Sequence, residues 1–268
     1  MELGSKIELY CKELQLPKVY EEYHQLSNRA AKEGWKYNEY LYEVLKAEAT
    51  SRAERSRNTL TKMAGFPTIK TIEDFDFEFT IGVNRRQIEE LSSLEFIKRK
   101  ENIILLGQSG VGKTHLAIAL AYKATQSRIK ARFTTISDLI LQMHIAKREK
   151  RYDSFIKQAI MAPSLLVIDE IGYFPMSKED ANHFFQVISK RYERGSTIIT
   201  SNLVFSQWSG IFANDKVITT AILDRLLHHS CIINILGDSY RLKEKKESGL
   251  IEQDLFKFES KKLGKGVK

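Results

Sequence analysis

The sequence predicts an α/β fold, in which a parallel five-stranded sheet with helices on both faces follows a small helical N-terminal domain. Two observations predict this architecture. From residue 100 onward, short apolar runs alternate with segments whose apolar residues recur at helical spacing. Residues 10–62 have helical periodicity alone, until Gly65 and Pro67 interrupt it. Because such alternation is typical of parallel sheets covered on both faces, ligands are expected beyond the carboxyl ends of the strands.

Four regions follow one another along the chain. Residues 1–65 are predicted to form the helical domain, 66–100 a linker and the start of the next domain, 101–245 the α/β core and 246–268 a basic tail. In the linker, Phe75, Phe77 and Phe79 fall on one face of an extended segment, and we expect their rings to pack against the core. The predicted core strands are 103–106, 131–135, 165–169, 196–201 and 231–235, and the predicted core helices are 113–126, 137–149, 153–161, 178–194 and 219–229.

The composition excludes several classes of protein. Of the 268 residues, 43% are hydrophobic and 28% are charged, which is typical of a soluble globular protein. No apolar run approaches the roughly 20 residues that a membrane span needs, and residues 1–5 lack a signal pattern. Cys11 and Cys231 are too few and too far apart for a disulfide framework or a zinc site. We expect a cytoplasmic protein with no membrane partner.

A glycine-rich segment joins the first predicted core strand to the helix after it. Residues 107–114, GQSGVGKT, match G-x-x-x-x-G-K-[ST] at every fixed position. A loop with few Cβ atoms can turn its backbone N–H groups around a phosphate, and the following helix presents its positive dipole end to the same group. Lys113 can reach the β- and γ-phosphates, and the Thr114 hydroxyl can bind Mg²⁺. The residues expected to contact a nucleoside triphosphate are Gly107, Gln108, Ser109, Gly110, Val111, Gly112, Lys113, Thr114 and His115.

Two adjacent carboxylates stand at the end of the third predicted core strand. Asp169 and Glu170 come directly after four apolar residues, where burial would be costly unless a cation is present. Asp169 is placed to hold Mg²⁺ through the second coordination sphere, and Glu170 is placed to activate a water for in-line attack on the γ-phosphorus. A helix N-cap is the plainer alternative, but two adjacent acids exceed what a cap needs.

A polar strand end and two arginines complete the candidate site. The fourth predicted strand ends at Thr200, Ser201 and Asn202, and Asn202 could hold the attacking water if this strand lies between the first and the third. A nucleoside kinase would also carry a phosphate loop, yet it needs neither the second acid nor this polar end. Arg225 stands among apolar residues and could enter a neighbouring subunit's site. Arg241 could reach the γ-phosphate of its own subunit.

The net charge of +8 is concentrated in two stretches. Residues 101–162 hold ten Lys and Arg against four Asp and Glu, and residues 241–268 hold nine against five. The centre of the first excess is KREKR at 147–151. A polyanion such as DNA would bind there, although a charge run is more often the solvated end of a helix.

Several of these motifs together resemble a known family. GQSGVGKT, LLVIDE, TSN, LDR and SYR, in this order, resemble an AAA+ ATPase of the helicase-loader branch. The preceding LTKMAGFPTIKTIEDFDFEF at 60–79 resembles the IstB-like ATP-binding proteins, which are encoded beside a transposase in insertion sequences. The resemblance covers about residues 10–245. It implies that Lys113 and Thr114 are Walker A, Asp169 and Glu170 Walker B, Asn202 sensor 1, Arg225 the arginine finger and Arg241 the second sensor.

The resemblance also implies cofactors and partners. ATP and Mg²⁺ would be bound, copies of the chain would assemble into oligomers on duplex DNA, and a partner transposase would be activated or targeted. Since 27 residues follow Arg241, no full C-terminal helical lid is expected, which departs from the general AAA+ architecture. In helicase loaders and initiators an extra helix between the second and third strands lines the DNA channel. The candidate DNA contacts are therefore Lys147, Arg148, Lys150 and Arg151, with Arg52, Arg55 and Arg57 as a second set.

Several functions stay open at this point. A replicative helicase loader shares the whole ATPase core and is the strongest alternative. A DNA-clamping module that binds ATP without hydrolysing it is another, and a small-molecule kinase is weakened by Glu170 and Asn202. A chromosomal initiator is disfavoured because no helix-turn-helix domain follows residue 241. No motif resembles a base-reading module, so DNA binding should be largely independent of sequence.

Overall fold

The structure is a computed structural model that describes residues 3–247 in two compact units, one ending at Leu60 and the other beginning at Thr61. Of the predicted basic tail, residues 248–268 lie outside the described part. Within residues 3–247, no helix is both long and apolar enough to cross a membrane.

The first unit consists of helices. They are α1 (Leu3–Glu13), α2 (Pro17–Glu33) and the first part of α3 (Tyr37–Ala64). Leu16, which precedes α2, provides no side-chain cap. Instead Glu48 of α3, only 4% exposed, accepts hydrogen bonds from the backbone N–H groups of Lys18 (2.8 Å) and Val19 (3.3 Å). A carboxylate at a helix N-terminus stabilises it, so Glu48 ties α3 to the start of α2.

The second unit contains a five-stranded parallel sheet of order β2-β3-β4-β1-β5. The predicted α/β fold is confirmed, and β4 does lie between β1 and β3. The strands are β1 (Asn102–Leu106), β2 (Ala131–Thr135), β3 (Leu165–Ile171), β4 (Ser196–Ser201) and β5 (Ser230–Asn234). The helices are α4 (Arg85–Ser92), α5 (Glu95–Lys98), α6 (Lys113–Gln126), α7 (Ile136–Arg148), α8 (Tyr152–Phe155), α9 (Lys178–Arg191), α10 (Trp208–Ile211), α11 (Lys216–Leu227) and α12 (Tyr240–Glu247).

Two apolar layers cover the two faces of this sheet. Because successive strand residues point to opposite faces, Ile103 and Leu105 pack into one layer and Ile104 into the other. The first layer holds Leu116 of α6, and the second holds Phe184 of α9. The three interior strands β3, β4 and β1 are thus buried on both sides, and the polar residues of β4 lie towards its two ends.

Several element boundaries differ from the sequence-based expectation by one to three residues; α9, for example, ends at Arg191 rather than at 194. Helix α11 begins at Lys216 rather than 219, because the Asp215 side chain accepts a hydrogen bond from the Ile218 N–H and caps it. The predicted helix 153–161 is α8 followed by a π-helical turn at Ile156–Met161. Strand β3 does not end at residue 169 but continues to Ile171 through a register shift.

The linker is built from turns rather than from an extended strand. The Asp76 carboxylate accepts hydrogen bonds from the N–H groups of Glu78 and Phe79, which bends the chain. Phe75 is nevertheless 6% exposed and belongs to the first apolar layer, as expected for a packing residue. Phe79 does not share this environment, since its ring packs on Tyr240 with centroids 5.4 Å apart.

Candidate functional site

The glycine loop between β1 and α6 adopts backbone angles that other residues rarely take. Gly107 and Gly112 have φ of 150° and 100°. A Cβ at Gly107 would stand 2.1 Å from the Ile235 carbonyl oxygen, and one at Gly112 would stand 2.6 Å from the Phe75 ring. Glycine is therefore required at both positions, and the loop packs tightly against the chain after β5 and against the linker.

Lys113 is the first residue of α6 and is only 7% exposed. Its Nζ donates a hydrogen bond of 2.6 Å to the Gln108 carbonyl, which keeps the ammonium group inside the loop. Burial lowers the pKa of Lys113; the Asp169 carboxylate opposes this shift, and the Arg241 guanidinium adds to it. A buried cation at a helix N-terminus favours an anionic ligand.

Three hydroxyl and carboxylate groups form a chain that joins the start of α6 to β3 and β4. The Thr114 hydroxyl donates to Asp169, at 2.9 and 3.0 Å from the two carboxylate oxygens. Asp169 is 3% exposed, and it also accepts a hydrogen bond from the hydroxyl of Thr200, which is 1% exposed. A hydroxyl and a carboxylate oxygen side by side are the hard ligands that Mg²⁺ prefers, so these residues fit the ion.

Glu170 occupies a strained bulge inside β3. Its φ is 67°, in the left-handed region, and the register between β3 and β4 shifts between Ile168 and Ile171. The Glu170 N–H donates to the Thr200 hydroxyl at 3.0 Å, while its carboxylate is exposed. A bulge re-aims a side chain next to a functional site, and here it turns an acid out of a buried strand.

Asn202 directly follows β4 and lies against Gly172. A Cβ on Gly172, whose φ is 119°, would stand 2.5 Å from the Asn202 Oδ1. This Oδ1 is buried and has no hydrogen-bond partner among the described residues. Buried polar atoms are normally paired, so an unpaired acceptor beside the acids of β3 marks a place for a donor. The role predicted for Asn202 stays a prediction, and the residue that contacts both acids is Thr200.

The linker contacts the start of α6, and α12 contacts the phosphate loop. The His115 Nε2 lies 2.8 Å from the Thr71 carbonyl oxygen, and its ring meets Phe75 edge-on at 5.4 Å. Burial lowers the pKa of His115, so the ring is held neutral. The Tyr240 N–H donates to the Gly110 carbonyl at 3.0 Å, which places Arg241 beside the loop.

A cleft of about 1050 Å³ opens next to these groups. Thr114, Asp169, Glu170 and Arg241 all line it. The structure thus brings Thr114, both acids and Arg241 to one cleft, and the roles predicted for them stay predictions.

Arg225 lies near the amino ends of the strands, away from the phosphate loop. It is near the end of α11, whose Leu226 carbonyl accepts a hydrogen bond from the side chain of Asn102 at the start of β1. Its Nη1 donates to the Ala221 carbonyl, and its guanidinium stands 4.9 Å from the centre of the Phe185 ring. Among the described residues it has no carboxylate partner. Because the phosphate loop follows the other end of β1, Arg225 cannot serve the site of its own subunit.

The basic stretch after α7 is exposed and partly neutralised. Lys147 pairs with Glu179 at 3.0 Å, and Arg151 pairs with Glu149. Arg148 and Lys150 form no ion pair with any residue whose side chain is described. Two of the four candidate DNA contacts are thus held by neighbouring acids, which weakens but does not remove their attraction for a polyanion.

Arg52 and Arg55 have a local partner in the first unit. Both pair with the buried Glu48, at 3.3 and 3.0 Å, and Arg52 also donates to the Gln15 carbonyl. Since Glu48 caps α2, these two arginines compensate its buried charge. The DNA contact predicted for them has no further support in their surroundings.

The fold and the site together define a P-loop nucleotide-binding protein. The chain belongs to the IstB-like ATP-binding protein family, whose model matches residues 10–248. A Pseudomonas aeruginosa protein, named as an ATP-binding protein of insertion sequence IS21, is 42% identical over 249 residues that cover 93% of each chain. A Geobacillus stearothermophilus protein, named for insertion sequence IS5376, is 42% identical over 91% of this chain and 96% of that protein. The family resemblance is therefore confirmed.

Solved structures share the fold at lower identity. The crystal structure of DnaI superposes with a TM-score of 0.53 and 19% identity, and the match covers 62% of this chain and 91% of that one. DnaA from Aquifex aeolicus bound to AMPPCP superposes with a TM-score of 0.50 and 20% identity, covering 68% and 56%. At this identity the likeness concerns the fold alone.

Proposed function

We propose that the chain hydrolyses ATP, and that its ATP-bound copies assemble on duplex DNA to help a transposase encoded beside it. The observation that carries the hydrolytic part is the chain of contacts from Thr114 through Asp169 and Thr200 to Glu170, next to a buried lysine. Binding alone would need the loop and the lysine. It would not need a second acid that is turned outward by a strained bulge.

Each residue has a distinct task in this proposal. Lys113 and the N–H groups of the loop bind the β- and γ-phosphates. The Thr114 hydroxyl and the Asp169 carboxylate would hold Mg²⁺, which when bound neutralises phosphate charge. Thr200 keeps Asp169 in place through its hydroxyl. Arg241, beside the loop, adds positive charge on the side of α12.

Glu170 is the proposed general base. Its exposed carboxylate accepts a proton from a water as the water oxygen forms a bond to the γ-phosphorus. The bond from this phosphorus to the bridging oxygen breaks, which leaves ADP and inorganic phosphate. The orphaned Oδ1 of Asn202 can accept a hydrogen bond from the same water and so orient it.

The DNA and transposase part is supported by charge and by relatives. Arg148 and Lys150 offer exposed positive charges without acidic partners among the described side chains, next to the helix between β2 and β3. The relatives at 42% identity are named for insertion sequences, and this chain matches nearly their whole length. A helper of a mobile element must act at many target sites, which suits binding to phosphates rather than to bases.

The test measures phosphate release with and without duplex DNA. The wild-type chain should turn over ATP, and duplexes of unrelated sequence should stimulate it to a similar extent. Lys113→Ala should lose tight nucleotide binding, whereas Glu90→Gln, a change to an exposed acid on α4, should leave the rate unchanged. A chain that binds ATP but releases no phosphate on any duplex would instead be a DNA clamp.

The transposase part needs its own measurement. Insertion of a labelled element end into target DNA by the neighbouring transposase should increase when this chain and ATP are added. Lys113→Ala should not produce the increase. An equal increase with Lys113→Ala would show that the effect on insertion does not need ATP binding.

A further inference from the structure

Helices α7 and α9 bring together two histidines and one aspartate that the nucleotide site does not use. His144 lies on α7, and Asp180 and His183 lie one turn apart on α9. Each offers one ligand atom, and these atoms all lie within 4.8 Å of one another. Two imidazoles and a carboxylate at this spacing form a ligand set for a transition metal.

The aspartate of this cluster is oriented by a second set of contacts. Asp180 is the third residue of α9 and forms a capping box with Ser177, whose hydroxyl donates to the Asp180 Oδ2 at 2.7 Å. The other oxygen, Oδ1, lies 2.6 Å from the His144 Nε2. One carboxylate oxygen therefore serves the helix cap while the other points to the histidine. Such outer contacts are typical of ligating carboxylates.

His183 supplies an independent reason to expect a ligand. The residue is 3% exposed, and its Nδ1 has no hydrogen-bond partner among the described residues. A buried ring with an unpaired nitrogen is costly in a closed core but is expected beside a metal.

We propose that His144, Asp180 and His183 bind a divalent transition metal of the zinc type. The mixed nitrogen and oxygen set distinguishes this site from the hydroxyl and carboxylate pair at the phosphate loop, which suits Mg²⁺. Three protein ligands leave one tetrahedral position for a water.

The metal would connect the helix that carries the basic stretch to the core. His144 and Lys147 are one turn apart on α7, and the Lys147 Nζ lies 3.0 Å from Glu179. A bound ion would join α7 to α9, which is buried against the sheet by Phe184. It would also add positive charge beside Lys147, so metal binding should strengthen the attraction of this surface for DNA.

The experiment titrates the full-length chain with Zn²⁺ while excess Mg²⁺ occupies the hard-ligand site, and it follows Co²⁺ substitution by absorbance. The wild type should bind one Zn²⁺, and a tetrahedral Co²⁺ spectrum should appear. His144→Ala removes a half-exposed ligand and should weaken the affinity at least about tenfold. Zn²⁺ should raise the melting temperature of the wild type and not that of His144→Ala.

Two control variants decide between sites. His24→Ala changes an exposed histidine of the first unit and should bind Zn²⁺ as the wild type does. His228→Ala with His229→Ala dismantles the exposed cluster that these residues form with Glu193, and it should also leave the affinity unchanged. The proposal is overturned if the wild type binds no Zn²⁺, if His144→Ala keeps the affinity, or if the double variant alone loses it.

Discussion

The phosphate loop and the basic stretch at 147–151 are two positively charged regions built in opposite ways. At the loop, Lys113 is buried, hydrogen-bonded and next to a carboxylate. In the basic stretch every cation is exposed, and two of the four lie on neighbouring acids. A side chain at Gly107 or Gly112 would clash with its neighbours, and replacement of Lys113 would remove a buried charge. The basic stretch can lose any one charge at little cost in stability.

Because of this difference, the structure supports a function for the phosphate loop more strongly than for the basic stretch. A buried charge must have a reason, because burial without a partner is expensive. An exposed charge needs no such reason. Each residue of the nucleotide site therefore has contacts of its own, whereas the basic stretch attracts a polyanion through its total charge.

The largest effect is expected from a residue that belongs to neither region. Arg225→Ala should bind ATP normally and lose about 10³-fold or more in hydrolysis, because the arginine would neutralise charge in a neighbour's transition state. The specific activity of the wild type should rise with protein concentration, and DNA should raise it further by aligning the subunits. Phosphate release at several concentrations measures this.

An experiment that mixes two inactive variants separates a role of Arg225 in a neighbour's site from a purely structural role. Arg225→Ala supplies an intact nucleotide pocket, and Lys113→Ala supplies an intact arginine. Together they should form composite sites and recover part of the activity. Mixtures that co-assemble and remain as inactive as either variant would reduce Arg225 to its contacts with Ala221 and Phe185.

A smaller effect is expected at the buried end of the nucleotide site. Thr200→Val keeps the shape of the side chain but removes the hydroxyl that joins Asp169 to the Glu170 N–H. We expect hydrolysis to fall about 10²-fold with little change in nucleotide affinity, and Thr200→Ser to restore most of the rate. Thr219→Val, which removes a buried hydroxyl on α11, is the matched control. Equal losses in kcat for both valine variants would mean that only stability had been affected.

The smallest effect per residue is expected in the basic stretch. Replacing Lys147, Arg148, Lys150 and Arg151 together by Ala should weaken duplex binding to a similar degree for all sequences. The slope of log affinity against log salt should shrink by roughly 0.9 for each DNA phosphate that the variant no longer neutralises. Four exposed cations that pair with glutamates elsewhere provide a charge-matched control, and these are Lys12, Arg29, Lys46 and Lys98. If both variants show the same slope, the basic stretch makes no DNA contacts and is an ordinary solvated helix end.

Local sequence patterns predicted most of the sheet and of the loop. The strand at 131–135 and the helix at 113–126 match the structure residue for residue. The glycine loop marks the start of this helix, and apolar periodicity marks its course. The bulge at Glu170 was not predictable, since it arises from the pairing of β3 with β4 and not from β3 itself. Thr200 was named at the polar end of the strand expected between the two other site strands, but its contacts with Asp169 and Glu170 were not predicted.

Tertiary packing was the hardest feature to anticipate. Glu48 compensates Arg52 and Arg55 from one and two turns away on the same helix, yet its burial depends on the N-terminus of α2. His144 and His183 lie on different helices, and only their packing unites them. The burial of Glu48 and the proximity of the two histidines both arise from helix packing, which no local pattern shows.

Hydrolysis by Glu170→Gln tests the central claim most directly. The substitution keeps the size of the side chain and leaves Lys113, Thr114 and Asp169 in place, but it removes the group that accepts the proton. Single-turnover release of phosphate from labelled ATP, beside a nucleotide-binding titration, should show binding close to that of the wild type and a rate lower by about 10²–10⁴-fold. A variant that binds ATP and releases phosphate at the wild-type rate would contradict the assignment of Glu170 as the base.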